Sequence, residues 1–154
     1  MCSRWEVQRF IGAKPCVLHD HHEALATVAR WRSRTEGVHE VWAVESLQSG
    51  QLLGTLLLVG ILGSSDREPS TPMGETEIGW YFHPDAWGYG YASEAATTVL
   101  HYYALKAGLQ TILAVTHPDN AASQGVCRRL GMRHHGPTNQ YYNMTCELFS
   151  FTKS

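Results

Sequence analysis

One strand–loop–helix segment, residues 77–95, constrains the fold more than any other part of the chain. An apolar strand candidate is ended by Pro84, because proline cannot donate to regular strand pairing. Gly88 and Gly90 follow, and a helical pattern then covers residues 93–106. Glycines let the backbone approach a ligand, and the first turn of a helix offers unpaired N–H groups and a positive dipole end. The segment therefore predicts an anion cradle, with a phosphate-bearing ligand as its natural occupant.

Two glycines before a helix also fit a simple tight turn, and that alternative stays open. Two nucleotide-binding motifs do not fit the segment. A P-loop ends in Gly-Lys-Ser/Thr, which the chain lacks. The dinucleotide fingerprint needs a third glycine where this chain has Ser93, and it belongs to an early βαβ unit rather than to a segment past the middle of the chain.

Composition limits the class of protein. The 154 residues correspond to one domain, and 44% hydrophobic with 17% charged residues is typical of an ordinary folded core. A net charge of −2 argues against a general nucleic-acid-binding surface. No apolar run reaches the ~18 residues that span a bilayer. With no signal-peptide pattern at the start, the sequence predicts a cytoplasmic protein without a membrane segment.

The cysteines and histidines do not predict a metal site. The four cysteines include no Cys-x-x-Cys pair, so reduced thiols are expected. Histidines cluster at residues 19–22 and 134–135, and a metal site built from them is the alternative. Asp20 with Glu23 instead reads as a capping box that opens a helix at residue 21. Adjacent histidines on a helix point in different directions, which makes them poor joint ligands.

The remaining patterns predict one α+β domain over residues 1–154. The first helix carries its apolar face on Leu25, Val28 and Ala29. A polar loop at residues 63–74 and a fully apolar strand at residues 111–116 follow later in the chain. The predicted elements are helix 21–35, strands 40–46, 51–62 and 75–82, helix 93–106, strand 111–116, helix 121–130 and closing strands over 141–151, with one more short strand left open. This order favours a mainly antiparallel sheet with helices packed on it.

Three motifs, in order, resemble the GNAT acetyltransferase superfamily, in particular its branch of RimJ/RimL-like ribosomal-protein N-acetyltransferases. Residues 75–80, Glu-Thr-Glu-Ile-Gly-Trp, resemble the fourth strand of that branch. Residues 87–95, Trp-Gly-Tyr-Gly-Tyr-Ala-Ser-Glu-Ala, resemble its pyrophosphate loop. The helix that begins Asn-Ala-Ala-Ser at residue 120 and ends Arg-Leu-Gly-Met at residue 132 resembles the family's Asn-x-x-Ser helix.

The resemblance implies a mixed, mainly antiparallel twisted sheet with a V-shaped opening between the fourth and fifth strands of the family. It also implies acetyl-CoA as co-substrate. The backbone of residues 80–82 would pair with the pantetheine arm, the loop would hold the pyrophosphate, and two residues of the later helix would lie near the sulfur. The implied cofactor-binding residues are Trp80, Tyr81, Phe82, Trp87, Gly88, Tyr89, Gly90, Tyr91, Ala92, Ser93, Asn120 and Ser123.

The implied reaction is direct attack of a neutral amine on the thioester. Glu77 is the candidate base, although a surface carboxylate in an ion pair is an equal alternative. A backbone N–H around Tyr81 would stabilise the oxyanion. Ser123 is the candidate partner of the leaving thiol, because Cys127 stands where many members have a tyrosine. The alternatives are that Asn120 only caps its helix and that Ser123 is an unpartnered first-turn residue.

The acceptor is predicted to be a protein N-terminal α-amine or a small-molecule amine. Freeing a neutral amine at pH 7 costs roughly 1.4 kcal/mol for an α-amine and roughly 4.6 kcal/mol for lysine, which favours the α-amine.

The start of the chain departs from the family pattern, since the strand and helix that usually precede the segment at residues 5–12 are not recognisable. An unpaired sheet edge there would favour a homodimer. The competing function is a non-catalytic acyl-CoA-binding module, and a Rossmann-type dehydrogenase is a distant third.

Overall fold

A six-stranded mixed sheet forms the centre of the computed structural model, which describes residues 1–66, 72–104 and 106–153. The strands are β1 (Glu40–Glu45), β2 (Leu52–Leu62), β3 (Pro72–Phe82), β4 (Thr111–Thr116), β5 (Arg133–Thr138) and β6 (Cys146–Thr152). The helices are α1 (Trp5–Gln8), α2 (His21–Arg32), α3 (Tyr91–Thr98) and α4 (Ala121–Arg129).

The strand order is β1-β2-β3-β4-β6-β5, and every neighbouring pair is antiparallel except β3 and β4. This arrangement confirms the predicted α+β class and its mainly antiparallel sheet. The short strand that the sequence left open is β5. The closing strand was predicted too early, because Tyr142 and Asn143 take left-handed φ angles of 57° and 53° that interrupt an extended chain. Tyr141 forms only an isolated bridge with Gly63.

Helix α2 begins as predicted but packs on a different face. Asp20 caps it by accepting a hydrogen bond of 2.8 Å from the Glu23 N–H. The predicted apolar face is wrong, since the Leu25 side chain is 56% exposed. Thr27 is the buried residue of the helix, and Trp31 stacks on Tyr81 of β3 at 5.9 Å. The helix therefore meets the sheet along a narrow polar and aromatic stripe.

Helix α3 is shorter than predicted and changes geometry along its length. It begins at Tyr91 rather than residue 93, and from Val99 to Ala104 the chain continues as a π-helix. Leu105 of the predicted helix 93–106 lies outside the described residues, as do residues 67–71 of the predicted polar loop.

The main core lies between the sheet and the helices that follow the glycine loop. Leu56, Ile78, Leu100 and Phe149 are fully buried there, together with the predicted buried strand β4. A smaller cluster on the opposite face contains Ile61, Leu113 and Tyr141. None of the helices in the described part of the chain has the length and apolar character needed to cross a membrane.

Candidate active site

The sheet opens between its two parallel strands, β3 and β4. Strands β3 and β4 pair at Glu77 and Leu113, and a cavity then lies between Tyr81 of β3 and Thr116 of β4. The predicted V-shaped opening is therefore between β3 and β4, the third and fourth strands of this sheet. An opening at this point gives a ligand access to the backbone of β3.

The register of β3 decides which of its amides face the opening. The His83 N–H donates to the Leu53 carbonyl of the β2 side at 2.8 Å, and hydrogen-bonded positions alternate along an antiparallel pair. The Tyr81 N–H is consequently directed to β2. The amides on either side of it, those of Trp80 and Phe82, face the opening. A backbone donor around Tyr81 thus exists, but the Tyr81 N–H itself belongs to the sheet.

The glycine loop takes the conformation that its sequence requires. Gly88 and Gly90 have φ angles of 81° and 84°, values that residues with a Cβ rarely adopt. Gly90 is the N-cap of α3 and provides no side-chain cap, so the first-turn N–H groups of α3 have no capping side chain. The Trp87 indole N–H donates to the Phe82 carbonyl at 3.0 Å and ties the loop to the end of β3.

All of the residues predicted to bind the cofactor line one cavity of about 740 Å³, hereafter the loop cavity. They come from the end of β3, the glycine loop and the first turn of α4. These residues are Trp80, Tyr81, Phe82, Trp87, Gly88, Tyr89, Gly90, Tyr91, Ala92, Ser93, Asn120 and Ser123. Residues as far apart in the sequence as Trp80 and Ser123 therefore meet around a single space.

An arginine of α4 joins the glycine loop. Arg129 lines the loop cavity, and its Nε–H donates to the Ser93 hydroxyl at 2.9 Å. The neighbouring Arg128 instead donates to the Gln124 side chain at 3.2 Å. Arg9 and Glu6 line the loop cavity as well, so its wall carries two guanidinium groups and one carboxylate besides the dipole end of α3.

The first turn of α4 lies at the junction of two cavities. The Asn120 side chain accepts a hydrogen bond of 3.1 Å from the Ser123 N–H, which is the N-cap role named as an alternative. Ser123 is half-buried and borders both cavities. Cys127, one turn later, is fully buried, and burial raises the pKa of its thiol to about 12. A thiol in that state is a small core residue.

The second cavity, hereafter the sheet cavity, has a volume of about 280 Å³ and contains the candidate base. Its polar lining includes Arg34, Glu77, Thr116 and Tyr142. It shares six described residues with the loop cavity, namely Phe10, Ile11, Trp80, Tyr81, Asn120 and Ser123. A ligand in one cavity would therefore adjoin a ligand in the other.

Glu77 is a buried acid rather than a surface carboxylate. Its side chain is 7% exposed, and burial raises its pKa to about 8, although the charge of Arg34 lowers it somewhat. Among the described residues it forms no ion pair, which contradicts the surface ion pair named as its alternative. The Tyr142 hydroxyl donates a hydrogen bond to its Oε1. A carboxyl group with a pKa near 8 can both hold and release a proton near neutral pH.

Tyr142 is a site residue that the sequence did not reveal. Its backbone lies in the left-handed region, an uncommon conformation for a bulky residue. The next residue, Asn143, is fixed by a hydrogen bond of 3.0 Å from its N–H to the Ser64 hydroxyl, and its Oδ1 accepts one of 2.8 Å from the Ser65 N–H. The unusual turn is thereby held in place, and it directs the Tyr142 hydroxyl to Glu77.

Tyr81 also lines the sheet cavity that contains Glu77. Its ring stacks on Trp31, and burial, with a contribution from the nearby Glu77 charge, raises its pKa to about 12. The Tyr81 phenol therefore stays protonated at neutral pH.

The histidine clusters do not converge in the structure. His134 contacts a Glu147 oxygen at 2.6 Å, and His135 contacts the Ser150 hydroxyl at 2.7 Å. Within residues 1–66, 72–104 and 106–153, no three metal-ligating side chains come together.

Comparisons with known proteins agree on one family. A family model described as an acetyltransferase (GNAT) domain matches residues 1–133. A Bacillus subtilis (strain 168) protein named the uncharacterized N-acetyltransferase YoaA is 30% identical over 140 residues, covering 90% of this chain and 73% of YoaA. A second, YnaD of the same strain, is 43% identical over 60 residues, covering 39% of this chain and 35% of YnaD. The matched part thus spans about a third of YnaD's length.

Solved structures share the fold at low sequence identity. An acetyltransferase (GNAT family) from Bacillus anthracis has a TM-score of 0.72 and 21% identity, covering 98% of this chain and 84% of that chain. The aminoglycoside acetyltransferase AAC(6')-Ib, solved in complex with coenzyme A, has a TM-score of 0.69 and 15% identity, covering 99% of this chain and 85% of that chain.

Proposed function

This chain belongs to the GNAT family of acetyl-CoA-dependent N-acetyltransferases, and we propose that it transfers an acetyl group to a primary amine, either a protein N-terminal α-amine or a small-molecule amine. The observation that carries the proposal is the buried carboxyl of Glu77 in the sheet cavity, which shares part of its lining with the loop cavity. One cavity has the features of an acyl-CoA site, and the other is left for the amine.

The loop cavity fits acetyl-CoA by its chemistry. The left-handed glycines expose backbone around the uncapped first turn of α3, which suits a pyrophosphate. Arg129 adds a guanidinium to the same wall. The amides of Trp80 and Phe82 face the opening and would pair with the pantetheine arm. Bound acetyl-CoA supplies the thioester; no other cofactor is proposed.

The remaining groups suit direct transfer. The amine nitrogen attacks the thioester carbonyl carbon, the carbon–sulfur bond breaks, and the proton that the amine loses goes to ionised Glu77. The open-edge amide of Trp80 or Phe82 would donate to the developing oxyanion. The Ser123 hydroxyl would donate a hydrogen bond to the departing thiolate. Tyr142 holds the carboxyl of Glu77 in the sheet cavity by a hydrogen bond.

The pKa of Glu77 supports an acceptor of modest basicity. An α-amine has a reference pKa of ~8, close to that of Glu77, whereas lysine has ~10.4. Transfer of a proton between groups of similar pKa costs little free energy. We therefore retain an α-amine over a lysine side chain. The resemblance to the RimJ/RimL-like branch supports the same class of acceptor.

Thermal melting with acetyl-CoA, free CoA and NAD, titrated in parallel, tests the proposal. A ligand at 100 times its dissociation constant stabilises the fold by about 2.7 kcal/mol. Both CoA species should raise the melting temperature, and NAD should not. Thiol release from acetyl-CoA with an amine panel then tests turnover. Binding without any turnover would favour the non-catalytic module, and no response to CoA would refute the site.

A further inference from the structure

We propose that the acceptor is a small α-amino acid, bound in the sheet cavity with its carboxylate on Arg34 and its amine at Glu77. This inference rests on the proposed function, because it names the class of amine that the same site would acetylate. It is carried by one cationic and one acidic side chain that line the same small cavity without pairing with each other.

Arg34 is the cationic group of the sheet cavity. It lies just after α2, is half-buried, and uses one guanidinium nitrogen to donate to the Gly60 carbonyl at 3.0 Å. That bond fixes the side chain but leaves other N–H donors of the guanidinium, which stays charged at any physiological pH. In the described part of the chain no carboxylate forms an ion pair with Arg34. A planar, permanently charged guanidinium can form two parallel hydrogen bonds to a carboxylate.

Arg34 and Glu77 give the sheet cavity one cationic and one acidic side chain. Burial raises the pKa of both Glu77 and Tyr81, and the charge of Arg34 offsets part of that rise in each, so Arg34 acts on both residues. A ligand with a carboxylate at one end and an amine at the other could pair its carboxylate with Arg34 and place its amine at Glu77. A polyamine or an aminoglycoside would instead bring additional positive charge toward Arg34.

The size and lining of the cavity limit the acceptor further. A volume of about 280 Å³ lies just below the ~300–1,000 Å³ that is typical of ligand pockets, so the acceptor must be small. Its wall includes Phe10, Leu57 and Met144, which suit an apolar side chain. The Thr116 hydroxyl is buried in the same wall and has no hydrogen-bond partner among the described residues. Such a group is usually satisfied by a ligand or a bound water.

Carboxylate binding would also assist the chemistry. In a free amino acid the carboxylate favours the protonated, unreactive form of the neighbouring amine. Pairing that carboxylate with Arg34 offsets its charge and lowers the cost of forming the neutral amine. Arg34 would then contribute to reactivity as well as to binding.

The test measures thiol release by the full chain at saturating acetyl-CoA. The acceptors are L-methionine and L-phenylalanine, each paired with its primary amide, together with spermidine and a peptide with a free α-amine. For each protein we compare the ratio of kcat/KM for acid over amide. Because each variant is compared with wild type on the same acceptors, the intrinsic difference in amine reactivity cancels.

Arg34→Gln should lower the acid-over-amide ratio by about 10- to 100-fold, the loss expected for a hydrogen-bonded charge pair. Arg34→Lys keeps the positive charge but lacks the planar guanidinium, so it should lower the acid-over-amide ratio by an intermediate amount. If Arg34→Gln has a much lower melting temperature than the wild type, Arg34→Lys replaces it in the test. Arg32→Gln is the matched control, since Arg32 is exposed and lines neither cavity. It should leave the ratio within twofold of wild type.

The outcomes separate this inference from the proposed function. An unchanged ratio in Arg34→Gln, or a preference of the wild type for spermidine or the peptide, would refute the amino-acid acceptor while leaving the N-acetyltransferase intact. If acetyl-CoA binds and no amine is acetylated, the proposed function fails. In that case melting with CoA and N-acetyl-L-methionine still decides the inference. Stabilisation by N-acetyl-L-methionine that is lost in Arg34→Gln would support it, and equal behaviour of the two proteins would refute it.

Discussion

Replacing Glu77 with glutamine should change how the stability of the fold depends on pH. The carboxyl of Glu77 has a pKa of about 8 when folded, against ~4.3 for an unperturbed glutamate. The folded state therefore retains a proton that the unfolded state loses between those pH values. Stability contributed by the neutral acid is fully present below pH 4 and is lost as the pH rises through 8.

The size of the effect follows from the same two pKa values. Between pH 5 and pH 7 the wild type should lose about 2–3 kcal/mol of unfolding free energy that Glu77→Gln retains. The full difference, reached above pH 8, is about 5 kcal/mol. Glutamine has the same shape and can still accept the hydrogen bond from Tyr142, so the two proteins should be close in stability at pH 5.

Urea denaturation of both proteins at pH 5, 6, 7 and 8 measures this difference directly. Glu75→Gln is the matched control, because Glu75 lies two residues away on the same strand and is exposed. Its stability curve should run parallel to that of the wild type. Parallel curves for Glu77→Gln would refute the reasoning, since they would mean that Glu77 is ionised in the folded protein at neutral pH.

Three further changes test the site. Tyr142→Phe removes a hydrogen-bond donor that favours the ionised form of Glu77. The rising limb of the pH profile of kcat/KM, expected near pH 8 in the wild type, should therefore move to higher pH. An unchanged profile would contradict the hydrogen bond. Gly88→Ala forces a Cβ into a left-handed position at a cost of ~1–2 kcal/mol and should weaken acetyl-CoA binding about tenfold by calorimetry, whereas Gly37→Ala, at a similar φ away from the loop, should cost stability alone. Ser123→Ala should lower kcat about tenfold with little change in the KM for acetyl-CoA, and an unchanged kcat would exclude the Ser123 hydroxyl as the thiol partner.

The glycine loop was predictable because its causes are local. Gly88 and Gly90 stand between a strand and a helix, and their left-handed angles follow from the turn that joins those two elements. The same holds for Asp20, whose capping bond reaches only three residues along the chain. Fold class was accessible for a similar reason, since the order of strand and helix patterns limits the layers that can form.

The sequence named Glu77 as the candidate base but could not predict its burial or its partners, because those depend on residues that are distant in the sequence. Glu77 accepts a hydrogen bond from Tyr142, which lies 65 residues later in the chain. The charge of Arg34, just after α2, also affects its pKa. The sequence predicted closing strands from residue 141, whereas the observed turn at residues 142 and 143 depends on hydrogen bonds with Ser64 and Ser65. The face of α2 was missed for the same reason, because its partner is the Tyr81 ring rather than an apolar core.

The burial of Glu77 explains how one carboxyl could serve as base for an amine near neutral pH. An ordinary carboxylate with a pKa of ~4.3 would accept a proton from an α-amine of pKa ~8 only at a cost of about 5 kcal/mol. At a pKa of about 8 that cost nearly vanishes, while ionising Glu77 at pH 7 requires only about 1 kcal/mol. The same desolvation that lowers the stability of the fold above neutral pH thus matches the acid to the amine. The fall in stability and the rise in reactivity should consequently both level off near pH 8, and Glu77→Gln should abolish both responses together.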